Sequence, residues 1–195
     1  MAVLKEYYNI LHDWEGTQYL GLTLNWVYEN KVVLVAIPEY VEKALQYFHH
    51  LWSNKPQDQP YPQLSPNYGA KQQYAEQDDT LPMLSKKDTS FVQEVVGTFL
   101  YYAHAVNCTT LTALGSITTQ QPNLTKNIME KVEQLLDYAA THPDAIITYQ
   151  VSDIVLAAHI NASYSYFSES NAQSQAGGQF FMSSNHPYPP TTETY

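Results

Sequence analysis

The stretch whose residue types come nearest to a chemical site is His159-Ile160-Asn161-Ala162-Ser163-Tyr164. A buried apolar strand ends there in a polar side chain, where two-metal phosphodiester chemistry would place the first of its metal-holding carboxylates. Asn161 is neutral, however, and a hard cation such as Mg²⁺ prefers anionic oxygen. Asp78-Asp79 has the charge that a paired-aspartate magnesium site needs. It lies in a Pro/Gln-rich stretch instead of a rigid turn between strands, and reads as a solvated charge pair. The seven histidines (positions 12, 49, 50, 104, 142, 159 and 186) form no i, i+4 pair on one helix, which argues against a zinc site. Cys108 is the only cysteine, so an intramolecular disulfide and a multi-cysteine zinc site are excluded. Nothing beside it suggests an activated thiolate, and it reads as a small apolar packing residue. Only Gly177 and Gly178 are adjacent among the seven glycines, and they lead into a strand, not a phosphate-cradling helix start.

The elements that must position these residues follow from periodicity. Val3 to Leu11 has the spacing of closing helical turns. Tyr19 to Val27 and Val32 to Ile37 are β-branched and aromatic and flank the polar turn Tyr28-Glu29-Asn30-Lys31, which predicts a hairpin. After Pro38, Glu39 to Trp52 places Val41, Ala44, Leu45 and Phe48 on one helical face. Ser53 to Asp88 holds five prolines among Gln, Asp, Ser and Tyr and is an extended connection. Helices are expected over Thr89 to Val106, with Phe91, Val95, Phe99, Tyr102 and Val106 inward, and over Thr109 to Gln120, with Leu111, Leu114 and Ile117 inward. A third helix runs from a Thr125 cap to His142 and turns Ile128, Met129, Val132, Leu135, Leu136 and Ala139 inward. Ile146 to Gln150 and Ile154 to Ile160 read as a second hairpin around Val151-Ser152-Asp153. A polar loop from Ser163 to Ala176 then leads to a strand over Gln179 to Ser183, and Asn185 to Tyr195 forms a disordered tail. Helices and strands that do not alternate indicate an α+β fold.

Bulk composition narrows the partners. The 195 residues carry 9 basic and 19 acidic side chains, a net charge of -10, and every basic residue is Lys. Phosphate backbones are gripped chiefly by Lys and Arg, so weak or no nucleic-acid binding is expected. No apolar run approaches the ~20 residues that span a bilayer, and no membrane partner is expected. The N-terminus lacks a signal-peptide pattern, so an intracellular location, cytoplasmic or nuclear, is expected, and the N-x-S/T triplets at Asn107, Asn123 and Asn161 carry little weight.

Several segments together resemble one family. Asp13-Trp14-Glu15-Gly16 through Tyr19-Leu20-Gly21-Leu22-Thr23-Leu24 resembles the strand that follows the polymerase active site in Ty1/copia-type reverse transcriptases. Ile37-Pro38-Glu39-Tyr40-Val41-Glu42-Lys43-Ala44-Leu45 is similar to that family's next strand and helix. Val95-Val96-Gly97-Thr98-Phe99-Leu100-Tyr101-Tyr102 resembles its VGxxLY helix, and Leu135-Leu136-Asp137-Tyr138 its LxYL helix. Asn161-Ala162-Ser163-Tyr164 with Ala176-Gly177-Gly178 resembles the opening of the linked ribonuclease H. The coverage is about Val3 to Ser184.

The resemblance implies a palm-end β-hairpin, thumb-like helices, then a truncated ribonuclease H-like antiparallel sheet. Its implied boundaries are 1–52 for the end of the palm and first thumb helix, 53–88 for the connection and 89–143 for thumb helices. The ribonuclease H-like start takes 144–184 and the tail 185–195. The intact family uses Mg²⁺, but the polymerase aspartates would lie upstream of Met1, the first ribonuclease H Asp aligns with Asn161, and later carboxylates would fall beyond Tyr195. No catalytic, cofactor-binding or metal-ligating residue is therefore assigned, and an inactive fragment is expected. Without the rest of the palm, the Leu22 to Leu34 hairpin should lack sheet partners and offer an exposed surface to a protein partner. Where relatives carry Arg, this chain has His104, Gln150, Gln173 and Gln175; where they carry Asp, it has Asn161. Each change is one G-to-A transition in a codon, the direction expected of a decaying, silenced gene copy.

Overall fold

The computed structural model describes residues 7, 13–50, 56–62, 81–121, 124–167 and 173–184. The fold is α+β, and the chain divides into two units. The first takes Met1–Gln63 with Thr80–Tyr149, the second Leu64–Asp79 with Gln150–Tyr195.

In the first unit, β1 (Gln18–Tyr19) and β2 (Leu22–Val27) pair antiparallel, Tyr19 opposite Leu22. The expected single strand over Tyr19 to Val27 is thus broken at Leu20-Gly21. Both residues adopt left-handed backbone (φ 50° and 84°), which reverses the chain in two residues. The Tyr101 hydroxyl donates to the Leu20 carbonyl (2.8 Å) and holds that turn from below. Strand β2 then pairs with β3 (Val32–Ala36), Trp26 opposite Val33 and Leu24 opposite Val35, through a 3-10 turn at Tyr28–Asn30. The positive φ that the turn requires falls on Lys31 (53°), not on Asn30.

Helix α1 (Tyr40–Tyr47) buries Val41, Ala44 and Leu45, and Phe48 just beyond it, the face its spacing predicts. It stops short of the expected Trp52 because His49 turns into left-handed backbone at φ 52°. Helix α2 (Lys86–Ala105) starts inside the expected connection. Ser85 accepts from the Asp88 backbone N–H (3.2 Å) and donates its own hydroxyl to the Asp88 carboxylate (2.7 Å). That reciprocal cap starts the helix at Lys86, three residues ahead of Thr89. Helix α3 (Leu111–Thr119) follows a 3-10 turn at Cys108–Thr110, and α4 (Lys126–Thr141) buries Ile128, Val132, Leu135, Leu136 and Ala139. Thr125 stands at the N-cap of α4, but its side chain makes no capping bond. The Ile128 N–H goes to the Thr125 carbonyl instead, while Thr125 bridges to Met83.

These helices and the inner face of the sheet enclose one core. Val92, Val95, Phe99 and Tyr102 of α2 meet Leu114 and Ile117 of α3, the α4 stripe, and Val41 and Leu45 of α1. Leu22, Leu24 and Val33 pack against them from the strands. Full burial of each such side chain is worth roughly 1.5–3 kcal/mol, so this cluster is what holds the unit together.

Strand β4 (Ile146–Gln150) joins this sheet beside β3, in the order β1-β2-β3-β4. It does not pair with the following strand, so the hairpin expected around Val151-Ser152-Asp153 does not form. Buried Tyr102 supplies the reason. Its hydroxyl donates to the Pro143 carbonyl (3.0 Å) and accepts the Ala145 N–H (3.1 Å), which ties the segment ahead of β4 to α2. The same pairing corrects the expectation that the β2–β3 hairpin lacks partners, since β1 and β4 flank it.

The second unit contains β5 (Val155–Phe167) and β6 (Gln173–Ser183), antiparallel from Val155 opposite Ser183 to Phe167 opposite Gln173, with an irregularity between Ser163 and Phe167. Much of the expected Ser163 to Ala176 loop is therefore strand. The tail at 185–195, the 63–80 part of the connection, and the helical turns at Val3 to Leu11 apart from Tyr7 lie outside the described residues.

Candidate functional site

Asn161 lies within β5, not at a strand end, and its side chain is exposed. Six further residues carry the strand on to Phe167, in keeping with the aromatic residues that follow Asn161. Its register partner is Gly177, which presents no side chain, and Ala162 faces Ala176. Alternation puts His159 on the same face of the ribbon as Asn161. The His159 ring meets Phe181 edge-on at 5.1 Å. Around Asn161 the described part of this face thus offers the amides of Asn161 and Gln179, an imidazole against an aromatic ring, and backbone. Among the described residues, no group of three His, Cys, Asp or Glu side chains could hold a metal ion.

Register also defines the opposite face, where Leu156 faces Met182, Ala158 faces Phe180 and Ile160 faces Gly178. Its large side chains are solvent-exposed: Leu156 65%, Ile160 72%, Phe180 66% and Met182 58%. Ile160 was expected to lie in a buried strand and does not.

The other titratable candidates serve the first unit. The His50 Nε2 lies 2.8 Å from the Asp137 carboxylate and links the end of α1 to α4. Nearby, the Gln57 N–H donates to Thr141 Oγ1 (3.0 Å), and the Gln134 amide donates to the Gln59 carbonyl (3.1 Å). His142 packs against Tyr138 (4.8 Å), and His104 sits in the last turn of α2. Cys108 is exposed, contrary to its reading as a packing residue, because Thr110 takes the inward position of that turn. Burial raises the pKa of the Tyr102 phenol, as does nearby Asp144, while the Ala145 N–H pulls it down. Burial also raises Tyr40, whose ring stacks on Tyr102 at 5.3 Å and whose hydroxyl donates to the Thr98 carbonyl (2.8 Å). Burial lowers the pKa of Lys131, which reaches Gln120 at 3.4 Å. Asp78-Asp79, His12, His186 and Asn123 lie outside the described residues.

A second candidate surface is the end of the β2–β3 hairpin. Trp26 and Tyr28 stack with ring centroids 6.0 Å apart and planes 10° from parallel, and both rings are exposed. The Trp26 indole N–H donates to the Gly16 carbonyl (2.7 Å). Gly16 belongs to a turn that the Asp13 carboxylate gathers by accepting the N–H groups of Glu15, Gly16, Thr17 and Gln18. Those bonds, the one from Gln18 above all, hold the Asp13 pKa below its ordinary value. Sequence reading placed a hairpin here but not this ledge, because a Trp side chain reaching a carbonyl ten residues back has no short-range pattern.

Comparison with protein-family models, curated proteins and solved structures finds no match. No described helix is long and apolar enough to cross a membrane.

Proposed function

We propose that the chain is a piece of a Ty1/copia-type retrotransposon Pol polyprotein, from the end of the reverse transcriptase into the start of the ribonuclease H, and that it does no catalysis of its own. The observation that carries this reading is the position of Asn161. The resemblance implies the first metal-holding Asp there, and the chain presents a neutral amide on an exposed ribbon opposite Gly177. An amide lacks the charge with which a carboxylate anchors Mg²⁺. The pairing of Asn161-Ala162 with Gly177-Ala176 adds support, since two segments quoted for the resemblance become direct neighbours. Likewise Tyr40, from the segment similar to the palm-end strand and helix, stacks on Tyr102 of the VGxxLY-like helix.

Mg²⁺-dependent cleavage of an RNA/DNA hybrid by the full chain, beside Asn161→Asp, tests the proposal. Neither protein should cleave. Cleavage by the unmodified chain would overturn it. The gene provides a separate test of decay, for which excess TpA and depleted CpG are expected.

One observation favours a second reading, a protein-binding module that associates with an intact polymerase or another protein. The anchored, exposed Trp26–Tyr28 stack has the residue types that dominate protein interfaces.

A further inference from the structure

The geometry points to a basic, arginine-bearing peptide segment of a protein partner as the occupant of the Trp26–Tyr28 ledge. This inference rests on the docking reading just given and names the chemistry of its guest. Both aromatic residues are open to solvent, Trp26 at 43% and Tyr28 at 76% exposure. The 2.7 Å bond from the indole N–H to Gly16 fixes the Trp26 ring, so little side-chain freedom remains to be lost on binding. Two acidic residues adjoin the ledge along the chain. Glu15 precedes the anchoring Gly16 in the Asp13 turn, Glu29 follows Tyr28 in the 3-10 turn, and both are exposed. A guanidinium group suits this combination, because its plane stacks on indole and phenol rings while its edge donates to carboxylates.

The chain cannot supply that group itself, having no Arg, and its net charge of -10 draws polycations from a distance. Single-stranded nucleic acid also stacks its bases on exposed aromatics. Here it would bring phosphates against Glu15 and Glu29, so charge selects the peptide. Lys31, exposed at the end of the same turn, opposes a cationic guest and gives a test of opposite sign.

The experiment is an NMR titration of the isotope-labelled full chain that follows the Trp26 indole N–H at low salt. The probes are a capped peptide alternating arginine and glycine, its lysine and citrulline counterparts, and an oligouridine. The arginine peptide should shift the resonance saturably and bind more tightly than the lysine peptide, with citrulline weakest. Tyr28→Ser should weaken it by about twofold to fivefold, the range for an exposed cation–π contact. Glu29→Gln should also weaken binding, Lys31→Gln should strengthen it, and both charge effects should shrink as salt rises. Citrulline binding as tightly as arginine, or tighter binding by Glu29→Gln, would overturn the proposal. Oligouridine as the stronger ligand would overturn the choice of guest and leave the docking reading standing. Silence of the indole to every probe would remove both.

Discussion

The two units use similar apolar residues to opposite effect. In the first, Val92, Phe99, Ile128 and Leu135 are shielded completely, while in the second Leu156, Ile160, Phe180 and Met182 stand in solvent. Hydrogen bonding already separates them in part, since α4 bonds its backbone within itself while each strand of the β5–β6 ribbon is paired along one edge only. The difference is the number of layers. Four helices pack around one core, and the sheet adds buried Val35 and the partly buried Leu22, Leu24 and Val33 to it. Among the described residues of the second unit a two-stranded ribbon has two faces and no further layer over either, and such a hairpin is marginal at best in water. Alternation within a strand decides which residues share a face, but only a second layer decides whether that face is buried.

Truncation at matched positions should break this symmetry most sharply. Leu135→Ala should cost about 2–5 kcal/mol, the range for emptying a closed core site. Ile160→Ala, a comparable loss of apolar volume, should stay within about 0.5 kcal/mol, as surface changes do. Urea unfolding of the full chain followed by helix circular dichroism measures both, and equal costs would mean that the ribbon face is covered in solution. Tyr102→Phe comes next. It keeps the buried ring but strips the Pro143 carbonyl and the Ala145 N–H of their partner, for about 1–3 kcal/mol. Amide exchange should then accelerate in β4 before it does in α2 or α4. Unchanged protection in β4 would show that this strand is held by its pairing with β3 alone. The raised Tyr102 pKa carries its own sign. The neutral phenol is favoured in the folded state, so this contribution is complete below the unfolded value near 10.0. It is lost as pH rises through the folded value. The stability lead of the wild type over Tyr102→Phe should therefore be full at neutral pH and shrink as pH rises above about 10.

Sequence legibility followed the same division. The helical faces of α1 and α4 could be read residue by residue, because a 3.6-residue stripe facing a core leaves a local pattern. The β2–β3 hairpin was legible for a similar reason, two β-branched runs about one polar turn. What failed was pairing over distance. Ile146 to Gln150 and Ile154 to Ile160 read as neighbours about a tight turn, whereas β4 lies beside β3 and the segment ahead of it is tied to Tyr102, more than forty residues back. Asn161 is legible as a polar position but its setting within β5 is not, since nothing in a strand's own sequence says where pairing stops. The exposed Cys108 was missed because Thr110 competes for the same inward position. The Ser85–Asp88 cap has a local signature, Ser followed three residues later by an acid, but it sits at the end of a proline-rich stretch that masks it.

The smallest expected effect lies in the Asp13 turn, which ties the Trp26 ledge to the first unit. Asp13 accepts four backbone N–H groups, and its lowered pKa means that the folded state favours the carboxylate. For a depressed acid the sign is fixed. The contribution is complete above the unfolded value, near 3.8, and disappears as pH falls through the lower folded value. Because the turn is exposed, the loss should be local and leave the helical core folded. In an NMR titration the Gln18 amide, whose bond matters most, should move with the Asp13 carboxyl resonance, and the Trp26 indole N–H should follow as Gly16 is released. Asp13→Asn should remove the pH dependence of all three while preserving the helical circular dichroism. If the indole resonance ignores the Asp13 titration, Trp26 is held by its stack with Tyr28, and the ledge belongs to the hairpin rather than to the turn beneath it.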